Sequence, residues 1–272
     1  MQISAGQAFL FVGEQTSQLV FPENADAGGL LAEKERGAPQ SDDLVLSNEI
    51  LARLPVAELD QIVVHLEHQH IPRHTVLCDP EKPIRYGYFL NSGMVSCLIP
   101  TSAGRNVEVA LVGKGGFIGN SLAFGVNRSL LRMVMQVPGD GYRIKSDDLQ
   151  RLLPTAPHLF RSVGRHALLQ GMQAAQTAAC NRLHNLEQRL ARWLLMTQDR
   201  VGPEFAMTQE YLAQMLGTGR PSLSLTASQM QRVGAIQYTR GLMRVLDRAE
   251  LEKLSCECYS VVRTMMADLE LG

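Results

Sequence analysis

The chain has no apolar run long enough to span a bilayer. Ala8–Val12, its nearest approach to a leader peptide, is short and has no Lys or Arg before it, so a cytoplasmic location is expected. Cysteine is scarce: the five residues, Cys78, Cys97, Cys180, Cys256 and Cys258, are odd in number and lack framework spacing, which argues against a disulfide-stapled secreted fold. An excess of charge is also missing, since the net charge is −1, and composition by itself does not announce a nucleic-acid binder. No phosphate loop, nucleophile elbow or paired-His metal helix occurs, so no enzyme is expected.

What is present divides the chain. With 272 residues, 45% of them hydrophobic, two ordinary domains can each build a core. Residues 1–40 show no sustained period and read as a flexible or accessory N-terminal arm. From Ser47 to Glu67 the apolar positions Leu51, Leu54, Leu59, Ile62, Val63 and Leu66 suggest helix, interrupted at Pro55. From Ile71 to Ile144 short runs separated by Gly, Pro, Asn and Asp take over: TVLC, YGYFL, MVSCLI, NVEVALV, FIGNSLAF, LRMVMQV and YRI. Short strands with turn chemistry between them predict a β-sandwich or roll over residues 41–157.

A long helix is predicted over residues 158–181. Its stripe of Leu159, Val163, Leu168, Met172, Ala175 and Ala179 has no third layer in the sequence to cover it, and a symmetric homodimer would do so.

The densest signal lies in Met207–Asp247. Thr208 can cap a helix from Gln209 to Leu216, Gly217-Thr218-Gly219 makes a turn, and Pro221 opens a second helix that Gly234 ends. Leu223, Ala227 and Met230 form its inner stripe. Arg220, Ser222, Ser224, Leu225, Ser228 and Arg232 are left outside, and such short or hydrogen-bonding side chains suit a helix lying in a major groove. Two short apolar runs around Arg240-Gly241 predict a hairpin wing, with Arg240 and Arg244 supplying charge for phosphate. The bland alternative is a generic helical subdomain. From Arg182 to Arg248 nine Arg face five Asp or Glu, which is consistent with DNA and no more.

Two clusters invite a metal reading. His65, His68, His70 and His74 fall within ten residues, but a polar helix end running into a strand would scatter them. Cys256-Glu257-Cys258 lacks the two intervening residues of the usual pair, and no second pair stands near it. No metal site or cofactor is therefore expected.

The order of roll, long helix and winged helix-turn-helix resembles the Crp/Fnr family of bacterial transcription regulators over roughly Leu46 to Leu254. The resemblance is carried by YGYFLNSGMVSCL, GGFIGNSLAFGVNRS, NLEQRLARWLL and MTQEYLAQMLG, the last two being the most specific. It implies an α+β chain with an N-terminal jelly-roll-like β-roll of the cyclic-nucleotide-binding type, a dimerisation helix, and a DNA-binding domain over residues 182–272. It further implies a homodimer on double-stranded DNA with a two-fold operator, admits RNA polymerase as a partner, and places DNA contacts at Thr208, Gln209, Arg220, Ser222, Ser224, Leu225, Ser228 and Arg240. An effector would meet Gly116, Gly119, Asn120, Ser121, Arg128 and Ser129.

Departures from the family bound the function. Members that bind cyclic AMP carry a Gly-Glu pair whose Glu holds the ribose, and then an Arg-Ser for the phosphate; here the pairs are Gly119-Asn120 and Arg128-Ser129. A small anionic effector other than cyclic AMP is expected. The oxygen-sensing members use N-terminal cysteines, and Met1 to Leu77 contains none. In the recognition helix the family's Glu and second Arg are missing, Leu225 standing in the register, so the operator should differ from the usual one. Two alternatives stand beside this reading: a metabolite sensor whose helix-turn-helix serves protein interaction, and a thiol redox sensor acting through Cys78, Cys97 or Cys180.

Overall fold

A computed structural model of the chain describes residues 47–102 and 106–271; the arm expected over residues 1–40 lies outside them. Asn48 caps α1 (Glu49–Ala52) by accepting from the amides of Ile50 and Leu51, and Pro55 separates α1 from α2 (Val56–Val63). Two antiparallel four-stranded sheets follow. The first runs β1 (Glu67–Ile71), β8 (Gly139–Lys145), β3 (Tyr86–Leu90), β6 (Phe117–Ile118). The second runs β2 (Val76–Cys78), β7 (Arg132–Val137), β4 (Met94–Pro100), β5 (Asn106–Val112).

Two local departures from the sequence reading have physical causes. β1, EHQHI, carries almost no apolar residue because it is an edge strand paired with β8 alone, so no alternation marks it. FIGNSLAF leaves the strand after Ile118: Gly119 takes φ 101°, which glycine adopts freely, and turns the chain into a 3-10 segment, Asn120–Phe124.

The second sheet is buried on both faces. Val95, Cys97, Ala110, Val112, Met133 and Met135 point into the roll core with Phe89 and Phe117. On the opposite face, Met94 and Leu111 join the core of the C-terminal domain, and Leu98 and Val134 meet Met215. That is why MVSCLI reads as an unbroken apolar run: strands covered on both faces lose their alternation.

After α3 (Ser146–Leu152), α4 (Pro157–Leu183) crosses the molecule. Here the proposed stripe needs correction. Leu159 and Val163 are fully buried in the chain's own roll core and are not available to a partner. The outward row of α4 is Gly164, Leu168, Gly171, Ala175 and Ala178, with Leu168, Gly171, Ala175 and Ala178 exposed and no neighbouring atom within 4 Å of a side chain at Gly164 or Gly171. Met172 and Ala179 lie half-buried beside it.

His184 and Asn185 break the helix. Asn185 then opens α5 (Leu186–Val201) with a capping box, its side chain accepting from the Gln188 amide while Gln188 accepts from its own. The C-terminal domain continues as β9 (Glu204–Ala206), α6 (Gln209–Met215), α7 (Arg220–Arg232), β10 (Ile236–Thr239), β11 (Leu242–Val245), α8 (Arg248–Leu254) and α9 (Cys258–Leu271).

Candidate nucleic-acid interface and effector cavity

The two helices of the C-terminal domain form from local chemistry. Thr208 accepts from the Tyr211 amide at the start of α6, and Pro221 occupies the first turn of α7, where no backbone donor is lost. Leu223, Ala227 and Met230 are buried against the domain core, joined by Thr226. The outer face of α7 presents Arg220, Ser222, Leu225 and Ser228 to solvent, with Ser224 half-buried; Leu225 is 61% exposed. The Ser228 hydroxyl donates to the Ser224 carbonyl at 2.8 Å, leaving its lone pairs outward. Thr208 is exposed and Gln209 half-buried at the start of α6.

The wing is a three-stranded sheet, β10-β11-β9, of which β9 had no signal in the sequence. Thr239 pairs with Leu242 across a two-residue loop in which Arg240 (φ 51°) and Gly241 (φ 83°) are both left-handed, the geometry of a type I′ turn. The turn places Arg240 at the exposed tip. Arg244 is different: its Nε donates to Glu204 on β9 at 2.6 Å, so its charge is already matched.

Five of the six expected effector residues, Gly119, Asn120, Ser121, Arg128 and Ser129, line one cavity of about 450 Å³ between the roll and α4. Gly116 does not; its carbonyl accepts from Leu90 N and from Asn48 Nδ2, and a side chain there would strike Val112. The cavity floor is apolar, with Ile84, Val109 and Met133, and α4 closes it with Ala167, Gln170, Gly171 and Ala174. Asn120 Nδ2 donates to Gln170 Oε1 at 2.9 Å, which ties the loop to α4 and engages the amide that stands where a diol-binding Glu would be. Arg128 is exposed at the mouth.

The cysteines and histidines sort themselves by position. Burial pushes the Cys78 thiol up to about 12 and raises Cys97 as well, so neither suits a reactive redox thiol. His65 and His68 turn to different acids, Asp148 at 3.7 Å and Asp140 at 3.1 Å, and His74 packs on the Tyr211 ring. The histidine cluster is therefore not a ligand set. A different group comes together elsewhere: Cys180, His184, Cys256 and Cys258 bring four donor atoms within 4.8 Å of one another. The second pair that Cys256 and Cys258 lacked in the sequence is Cys180, in the last turn of α4, and His184, the residue that ends the helix. The Cys-x-x-x-His spacing was its one available signal.

Buried polar groups tie the C-terminal domain to the rest. Trp193 Nε1 donates to Glu108 Oε1 at 2.6 Å, and Arg192 donates to Thr177 on α4 at 3.0 Å. Burial pushes the Glu108 carboxyl up to about 7, against the pull of its hydrogen bonds. Burial also lowers His166 on α4 to about 4, with Arg200 adding to the effect.

Residues 188–254 match the family model of the Crp-like helix-turn-helix domain. No curated protein matches the chain. Similar solved structures include a regulator assigned to the Crp/Fnr family from Eubacterium rectale, with 18% identity and a TM-score of 0.61, covering 76% of this chain and 98% of that one. FixK2 from Bradyrhizobium japonicum gives 16% and 0.61, covering 70% and 98%. The c-di-GMP responsive global regulator CLP of Xanthomonas campestris gives 16% and 0.60, covering 71% and 100%. Residues 188–254 are thus a Crp-like helix-turn-helix domain, on a chain whose fold is that of Crp/Fnr-family transcription regulators.

Proposed function

We propose that the chain is a homodimeric, sequence-specific DNA-binding transcription regulator whose roll takes a small anionic effector other than cyclic AMP. The observation that carries it is the exposed outer face of α7, with Arg220, Ser222, Leu225 and Ser228, together with the exposed wing tip Arg240, in a domain matching the Crp-like model. Arg220, at the N-terminal end of α7, is the side chain to grip a guanine, and Leu225 is the one to meet a thymine methyl. The outward row Gly164, Leu168, Gly171, Ala175 and Ala178 supports pairing of two α4 helices, which would set two recognition helices for half-sites one helical turn apart. The cavity borders the same row through Gly171, so an effector there would sit beside the dimer contact.

Selection from a random duplex pool tests the reading. A two-fold motif is expected, and Leu225→Arg should shift the preference at one base pair in each half-site. Enrichment of no motif would overturn the DNA reading in favour of a protein-interaction module. Cyclic AMP should leave the melting temperature unchanged, because the neutral Asn120 is engaged by Gln170.

A further inference from the structure

The end of α4 and the start of α9 meet in a pocket of sulfur that the regulatory reading does not use. Cys180 Sγ lies 3.5 Å from Cys256 Sγ, and Cys258 Sγ lies 3.6 Å from His184 Nδ1. All three cysteines are buried and unbridged. Four soft or borderline donors around one point, with no fifth ligand among the described residues, is the composition of a closed tetrahedral site. The spacing agrees: an ion with metal–sulfur bonds of about 2.3 Å sets its sulfurs roughly 3.8 Å apart.

The surroundings are also those of a ligand set. His184 turns Nδ1 toward the thiols and Nε2 toward Glu257, whose carboxylate lies at 3.2 Å. A carboxylate on the far nitrogen fixes the tautomer that leaves Nδ1 with a free lone pair. Gln176 Nε2 donates to Cys258 Sγ at 3.0 Å, a partner that a thiolate accepts better than a thiol does.

We infer that Cys180, His184, Cys256 and Cys258 form a structural site for a single Zn²⁺-class ion, with Glu257 and Gln176 as its outer partners. The thiol protons pass to solvent as three metal–sulfur bonds form, and the imidazole binds neutral through Nδ1. Such an ion staples α9 to α4 at His184, the residue where the chain turns from α4 into α5, and so stiffens the joint that carries the helix-turn-helix.

The test uses the full chain, reduced and stripped of metal by a chelator, and titrated with Co²⁺. One equivalent should give the intense visible bands of tetrahedral cobalt and thiolate charge transfer, and one equivalent of Zn²⁺ should erase them. Cys258→Ser and His184→Ala should abolish or strongly weaken the bands, Glu257→Gln should weaken binding by about 10–100-fold, and Cys97→Ser in the roll core should change nothing. A pale octahedral spectrum, no saturable binding, or a Cys180–Cys256 disulfide in the protein as isolated would overturn the site. The wild-type spectrum decides the matter even if a ligand variant fails to fold. None of these readouts depends on DNA binding.

Discussion

The sheet β2-β7-β4-β5 has two buried faces built on different principles. Its inner face, Val95, Cys97, Ala110, Val112, Met133 and Met135, is apolar throughout and belongs to the roll. Its outer face mixes Met94, Leu98 and Leu111 with Ser96, Glu108 and Gln136, and it is covered by the C-terminal domain. Glu108 meets Trp193, Gln136 Nε2 meets Met207 Sδ at 3.1 Å, and Gln136 Oε1 has no hydrogen-bond partner among the described residues. A folding core does not retain such groups, because each costs desolvation that an apolar side chain would avoid. A seam between two separate apolar cores tolerates them where they are paired, as Trp193 pairs Glu108 across it. The inner face therefore holds the fold, and the outer face holds one arrangement of two folded parts.

Substitutions should separate the two faces. Met135→Ala, on the inner face, should cost about 2–5 kcal/mol through lost burial and the cavity left behind, seen as one cooperative shift of the whole urea transition. Trp193→Phe, on the outer face, removes the Glu108 partner and should cost about 1–3 kcal/mol. That loss should appear first as easier proteolysis at the α4–α5 joint, with the roll intact. If both variants unfold the chain in one identical transition, the outer face is as much a folding core as the inner one.

Acidity sharpens the contrast. Glu108 titrates at about 7 in the folded chain against an ordinary 4.5, so the folded state holds its proton longer, and stability is lost as pH rises between those values. His166 is lowered from 6.5 to about 4, so the folded state resists its proton, and stability is lost as pH falls through that range. The two slopes oppose one another where they overlap, and the wild type should be nearly flat there. Glu108→Gln should leave the histidine slope, with stability falling on acidification, while His166→Gln should leave the opposite one. Urea midpoints across the window would show it, and equal slopes in the two variants would refute the assignment.

How much of this was legible depended on the range of the interactions. Thr208, Pro221, the Leu223-Ala227-Met230 stripe and the Arg240-Gly241 turn declare themselves because caps, periods and turns act within a few residues. The long helix was equally plain, yet which of its faces stays bare was not. Leu159 and Val163 looked like the rest of the stripe, and only the roll, folded against them, removes them from it. The Cys180/His184 and Cys256/Cys258 pairs are separated by 76 residues between Cys180 and Cys256, a distance over which no local pattern speaks. Asn120 stood out in the sequence as a departure from the family's ribose-binding Glu, but its bond to Gln170 needed the packing of α4 over the cavity.

The smallest expected effect falls within the wing, where two arginines four residues apart differ in their partners. Arg240 stands exposed at the tip of the turn, whereas Arg244 is paired with Glu204. Alanine at Arg240 would be strained at φ 51°, so Arg240→Asn is the cleaner change, because Asn tolerates the left-handed region. It should weaken binding to all sequences alike and flatten the salt slope of log Kd by about one unit. Arg244→Ala should flatten it less, since removing a cation that already faces a carboxylate releases fewer counterions. Glu204→Gln should steepen the slope by freeing Arg244 for phosphate. Fluorescence anisotropy on the selected operator, read across a salt series, separates these outcomes. Equal flattening by Arg240→Asn and Arg244→Ala would mean that the Glu204 pair opens on DNA, and that the wing approaches the backbone along its strand as well as at its tip.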